Sequence, residues 1–147
     1  PNQKNKPLES TNIDPNDLLN FNITGAAITE EGIRKNISIA LQYISYWLTG
    51  RGAVGLYNLM EDTATAEISR AQLWQWIHHG KVTEDQYKRY LEEEMQAIRH
   101  SGLDQEAENQ LASSKEILDS LVLNESFAEF LTLQAYDRLV SNVFYNC

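Results

Sequence analysis

At 147 residues the chain is long enough for one domain with its own core, and 42% hydrophobic with 22% charged residues is the composition of an ordinary globular protein. A formal charge of -9 at pH 7, with no local Lys/Arg cluster to offset it, argues against phosphate backbones and anionic headgroups, so neither nucleic acid nor membrane is expected as a partner. No apolar run nears the roughly 20 residues of a membrane span and no signal peptide opens the chain, so a cytoplasmic location is expected. The lone Cys147 cannot form an internal disulfide and fits that compartment.

The first 27 residues are rich in Asn, Pro and Asp, with Asp14-Pro15-Asn16-Asp17 as a turn signal, and are read as an irregular linker. From residue 28 the pattern becomes helical. Ile33, Ile37, Leu41, Ile44 and Leu48 recur every three or four positions, with Thr29 as N-cap and Gly50 at the stop. Arg51 to Asp62 carry two glycines and no stripe, and are read as an irregular connector. A second helix is predicted from Asp62 or Thr63 to His79, ended by Gly80. The third starts at Thr83, where Thr83 and Gln86 have capping-box spacing, and buries Tyr87, Leu91, Met95 and Ile98.

The Glu92-Glu93-Glu94 run on that helix reads as a solvated face. Gly102 separates it from a fourth helix over about 104–123, with Ala107, Leu111, Leu118 and Leu121 on one side. A fifth is predicted from Ser126, again with capping-box spacing to Glu129, burying Phe127, Phe130 and Leu131. Nothing reads as a strand pair, so the fold class is all-α: an irregular bundle of about five helices over 28–147.

Chemistry concentrates where the connector meets the second helix. Asp62 falls in a first turn, where free N–H groups and the positive helix end favour a carboxylate anion. On residue type alone its commonest use would be as a helix cap. Glu61 beside it is read as a charge favouring the helix end rather than half of an acid/base pair. His78 and His79 point apart on a helix and His100 lies on another, so no metal site is expected. Trp74, Trp76 and Ile77 form an apolar block suited to core or domain-docking packing.

Asn58-Leu-Met-Glu-Asp-Thr-Ala-Thr-Ala-Glu-Ile-Ser-Arg70, followed by Ala71-Gln-Leu-Trp-Gln-Trp-Ile-His-His-Gly80, resembles the opening of the C-terminal helical domain of malate synthases of the shorter, bacterial and plant type. Weaker likeness runs through Asp17-Leu-Leu19, Ile28-Thr-Glu-Glu-Gly32, Arg34-Lys-Asn-Ile37, Gln42-Tyr-Ile44 and Gly50-Arg-Gly-Ala-Val54.

The resemblance implies an acyltransferase that condenses acetyl-CoA with glyoxylate and water to give malate and CoA in the glyoxylate cycle, a bypass of the tricarboxylic acid cycle. It implies that Asp62 takes a proton from the acetyl methyl group. Met60 and Glu61 are pocket-wall candidates by position. It also implies a TIM-barrel domain upstream as the intramolecular partner, holding the Mg²⁺ that polarises glyoxylate and an Arg that stabilises the enolate. Neither belongs to this chain, and Arg34, Arg51 and Arg70 are not nominated.

A start at Pro1 rather than Met reads as an excised or proteolysed fragment, expected to be inactive alone. The ending Tyr-Asn-Cys is not the peroxisomal Ser-Lys-Leu found in many plant and fungal members. The chain departs from the family pattern at Gly55, where Pro is common, and at Leu133-Gln-Ala-Tyr136, where many members read Leu-Pro-Ala-Tyr. Gly55 is the more permissive residue, so the segment aiming Asp62 is expected to be looser. Two alternatives stay open, a non-catalytic all-helical interaction module and another all-α enzyme whose site lies between helices; neither should expose a large apolar face.

Overall fold

Thr29, Asp62, Thr83 and Asp104 each accept a backbone N–H three residues ahead through a side-chain oxygen, and each starts a long helix. The computed structural model of the chain describes residues 3–7, 13–20 and 23–145; Cys147 lies outside them. In chain order the elements are α1 (Pro15–Leu19), α2 (Glu30–Trp47), β1 (Ala53–Leu56), β2 (Leu59–Asp62), α3 (Thr63–His78), α4 (Glu84–Arg99), α5 (Gln105–Val122) and α6 (Leu131–Tyr145). The architecture is helical, as the periodicity predicts, with one small sheet added. No helix among the described residues is long and apolar enough to cross a membrane.

The core forms around α2, which packs on α3, α4, α5 and the hairpin. Its stripe of Ile33, Ile37, Leu41, Ile44 and Leu48 is buried as predicted. Facing it are Leu73 of α3, Tyr87, Leu91 and Met95 of α4, and Leu111, Leu118 and Leu121 of α5. At the end of α3, Gly80 has a positive φ of 63°, which costs a residue without Cβ little. That turn lets Gly80 N–H reach the Ile77 carbonyl and Lys81 N–H the Trp76 carbonyl, closing the helix in a Schellman motif.

The structure departs from the sequence reading in four places. Residues 15–19 form a short helix, with Pro15 in its first turn and Asp14 as cap, inside the stretch read as linker. The connector before Asp62 is an antiparallel hairpin, not irregular chain.

The last helix starts at Leu131 rather than Ser126. Glu67 and Arg70 of α3 take up the backbone of 128–131, and Phe127 and Phe130 stay exposed at 46% and 53%. The glutamate run is not a simple solvated face either. Arg34 of α2 pairs with Glu93 and Glu94 while lying over the Tyr90 ring, and Lys115 of α5 approaches Glu92 at 3.7 Å.

Candidate functional site

The segment Leu59-Met-Glu-Asp62 is the second strand of the hairpin, paired so that Val54 faces Glu61, Gly55 faces Met60 and Ala53 faces Asp62. The two turn residues, Tyr57 and Asn58, both have positive φ, at 51° and 62°. This is the type I′ geometry that matches strand twist, and Asn tolerates it well. Gly55 therefore sits in a paired ladder, which restrains the position the sequence suggested was loose.

Side chains alternate across a strand, so Met60 and Asp62 share the outer face while Glu61 points inward with Val54. Met60 is 74% exposed and Glu61 only 6%. The Glu61 carboxylate has no hydrogen-bond or ion-pair partner among the described residues, its backbone being paired with Val54 in the ladder. The two pocket-wall candidates thus stand on opposite faces, and Met60 is the one that accompanies Asp62.

Asp62 is both the last residue of β2 and the N-cap of α3. Its Oδ1 accepts the Thr65 N–H at 3.2 Å and lies 3.5 Å from the Thr65 hydroxyl. No hydrogen bond within the described residues uses Oδ2. The side chain is exposed, so one carboxylate oxygen maintains the helix start and the other is open.

Two surface clefts of about 530 and 580 Å³ lie elsewhere, one between α2, α4 and α5 beside Arg51, the other at Glu30, Arg34 and Tyr57. Neither is lined by Asp62. No group of three or more His, Cys, Asp or Glu among the described residues converges on a point where a metal could bind.

A family model described as "Malate synthase, C-terminal" matches residues 27–139, which include the hairpin and all of α2 to α5. The chain belongs to the malate synthase C-terminal domain family. It is 43% identical over 147 residues to a malate synthase of Myxococcus xanthus, covering 95% of this chain and 27% of that protein. A bifunctional glyoxylate cycle protein of Caenorhabditis elegans is 43% identical over 150 residues, covering 96% of this chain and 15% of the relative. Malate synthase A of Escherichia coli is 40% identical over 119 residues, covering 76% and 22%. The chain spans about a quarter or less of these malate synthases and bifunctional relatives.

Sequence reasoning missed Tyr43. This residue of α2 is fully buried, and its hydroxyl contacts both the Gly52 carbonyl, at 3.2 Å, and the Thr63 hydroxyl, at 2.5 Å. The helical stripe offered no signal for it, because Tyr43 lies beside the stripe rather than on it. Arg70 carries no sequence signal for its role either. It is 1% exposed and engaged by Glu67 at 2.7 Å and by the Ala128 carbonyl at 2.7 Å, so it is not free to face a substrate on the outer surface.

Proposed function

We propose that this chain is the part of a malate synthase that supplies the general base, Asp62, for condensation of acetyl-CoA with glyoxylate. The observation that carries the proposal is the state of the Asp62 carboxylate: exposed at a strand-to-helix junction, capped through Oδ1 and open at Oδ2. In the proposed reaction Oδ2 takes one methyl proton of acetyl-CoA. The electron pair left behind forms the enolate, whose carbon attacks the aldehyde carbon of glyoxylate; the carbonyl π pair moves onto that oxygen, which is protonated to the hydroxyl of malate, and Asp62 releases its proton to solvent. Water then cleaves the thioester, giving malate and free CoA.

An unaided carboxylate is far too weak for so poor a carbon acid. Stabilisation of the enolate oxygen and exclusion of water are therefore assigned to a second domain closing over the outer face. Met60, exposed at 74% on that face beside Asp62, is apolar surface that such a domain would cover. The small share of each relative that the chain spans supports the same division of labour. The described residues do not fit a metal, so Mg²⁺ is assigned to residues outside them and no step above runs through it.

The test is glyoxylate-dependent release of free CoA thiol by the intact protein, parent against Asp62→Asn, which keeps the cap acceptor and removes the base. A loss of about a hundredfold or more in turnover with acetyl-CoA binding retained is expected. Near-parental turnover would reduce Asp62 to a helix cap.

A further inference from the structure

We infer that Tyr43 is a positioning residue for Asp62, setting the aim of its carboxylate from beneath the hairpin; this rests on Asp62 being the base. Ala53 is the cross-strand partner of Asp62, and Tyr43 holds the residues that flank this pair. Gly52, immediately before Ala53, gives its carbonyl to the Tyr43 hydroxyl, and Thr63, immediately after Asp62, gives its side-chain oxygen. A phenol has one proton to donate, so donation to the Gly52 carbonyl leaves its oxygen to accept from Thr63 O–H. One rigid, fully buried ring thereby ties both strands to α2 at the level of the carboxylate.

The far end of the hairpin is tied to the same helix. Tyr57 O–H donates to Ser38 Oγ at 2.8 Å, and Ser38, 2% exposed, also accepts from Gln42 Nε2 at 3.0 Å. A two-stranded hairpin is marginally stable by itself, so its placement has to come from such ties and from the buried side chains of Val54 and Leu56. Tyr57 is held in a left-handed conformation that an aromatic residue seldom adopts, and its bond to Ser38 is one compensation. The tie at Tyr57 fixes the tip; the tie at Tyr43 fixes the end that carries the carboxylate.

Tyr43 acts through geometry at the reacting carbon, where a misplacement of about 1 Å is worth on the order of a hundredfold in rate. In the intact protein, Tyr43→Phe is expected to lower kcat by about 10- to 100-fold with KM for acetyl-CoA within about twofold. Proton removal becomes more rate-limiting, so the isotope effect with trideuterated acetyl-CoA should rise. Thr63→Val should behave alike and Thr63→Ser should recover most of the activity. Tyr87→Phe, which also removes a buried phenol bond but one between α4 and α5 rather than at the hairpin, is the stability control and should leave kcat and the isotope effect unchanged.

A parental kcat in Tyr43→Phe alongside a dead Asp62→Asn would overturn this inference alone. So would a fall in kcat that merely tracks loss of folded protein with an unchanged isotope effect. Full turnover in Asp62→Asn would overturn the base assignment and this inference together.

Discussion

Replacing Arg70 by Met, which keeps much of the volume and removes the charge, isolates the polar network that docks the 124–130 loop on α3. In the parent, Arg70 Nε donates to Glu67 Oε2 at 2.7 Å and Nη2 donates to the carbonyls of Ala128, at 2.7 Å, and Glu129, at 3.3 Å. The guanidinium also lies 4.1 Å from the Phe127 ring centroid. Glu67 completes the arrangement by accepting Leu131 N–H on Oε1 at 2.6 Å, at the first residue of α6.

Removing one partner of a buried ion pair costs about 3–5 kcal/mol, because the other charge is left behind. Glu67 retains 21% side-chain exposure, so water recovers part of this and a loss of about 2–4 kcal/mol is expected for Arg70→Met. For a domain of this size that corresponds to a fall in Tm of roughly 5–15 °C.

Urea unfolding followed by circular dichroism measures the loss. Tryptophan emission should shift with it, since Trp74 donates to the Asn124 carbonyl and meets Phe127 edge-on. Adding Glu67→Gln removes the stranded charge but keeps an acceptor for Leu131 N–H, so the double variant should be more stable than Arg70→Met alone. A single-variant loss under about 1 kcal/mol, or a double variant no better, would refute the view that a compensated buried charge holds this loop.

Two further outcomes follow from the packing. Burial, and then the negative charge of Asp119, push the Tyr87 phenol well above its ordinary value, while the bond to Asp119 pushes the Lys115 ammonium up. Both groups hold their protons more tightly when folded, so their stabilisation is complete below about pH 10 and fades as pH rises through the folded values. Urea midpoints should therefore drop between pH 8 and pH 11, and drop less in Tyr87→Phe; an equally steep drop would remove Tyr87 from the explanation. Gly55→Pro should be tolerated and add about 0.5–1 kcal/mol by restricting the unfolded chain. With two turn residues, Leu56 and Leu59 are the bonded pair and Gly55 N–H points away from the ladder, and a Cβ there would meet nothing within 4 Å. A thermal unfolding midpoint below the parent's would contradict this.

Helices α2, α4 and α5 were legible because each carries a side-chain cap followed by an apolar stripe, and α3, whose buried face mixes Ala66, Ser69, Arg70 and Leu73, was legible from its cap and its Gly80 stop; local signals of that kind decide helix ends when nothing competes. Ser126 and Glu129 carry the same signal and yet start no helix. Buried Arg70 and half-buried Glu67 of α3 take up the backbone at 128–131, and that tertiary demand outweighs a cap worth about 1 kcal/mol. The hairpin was illegible for a different reason. Four-residue strands offer only two alternations to read, and the turn is Tyr57-Asn58 rather than a pair with Gly. Its stability comes from contacts to Ser38 and Tyr43, which lie 19 and 20 residues from their partners Tyr57 and Thr63 and leave no periodic trace.

That missed hairpin changes what the site motif means. Asp104 is also an exposed N-cap, accepting Ala107 N–H at 2.8 Å, so cap geometry and an open carboxylate do not by themselves distinguish Asp62. Its distinction is that it ends a strand as it begins a helix. Strand alternation sends it outward with Met60, while the helix start fixes its Oδ1, leaving Oδ2 as the free group on an apolar outer face. A cap at the end of a loop would have the second constraint without the first. The pattern Met-Glu-Asp followed by a helix needs both elements to present one carboxylate in one direction, and Tyr43 is the point at which they are tied together.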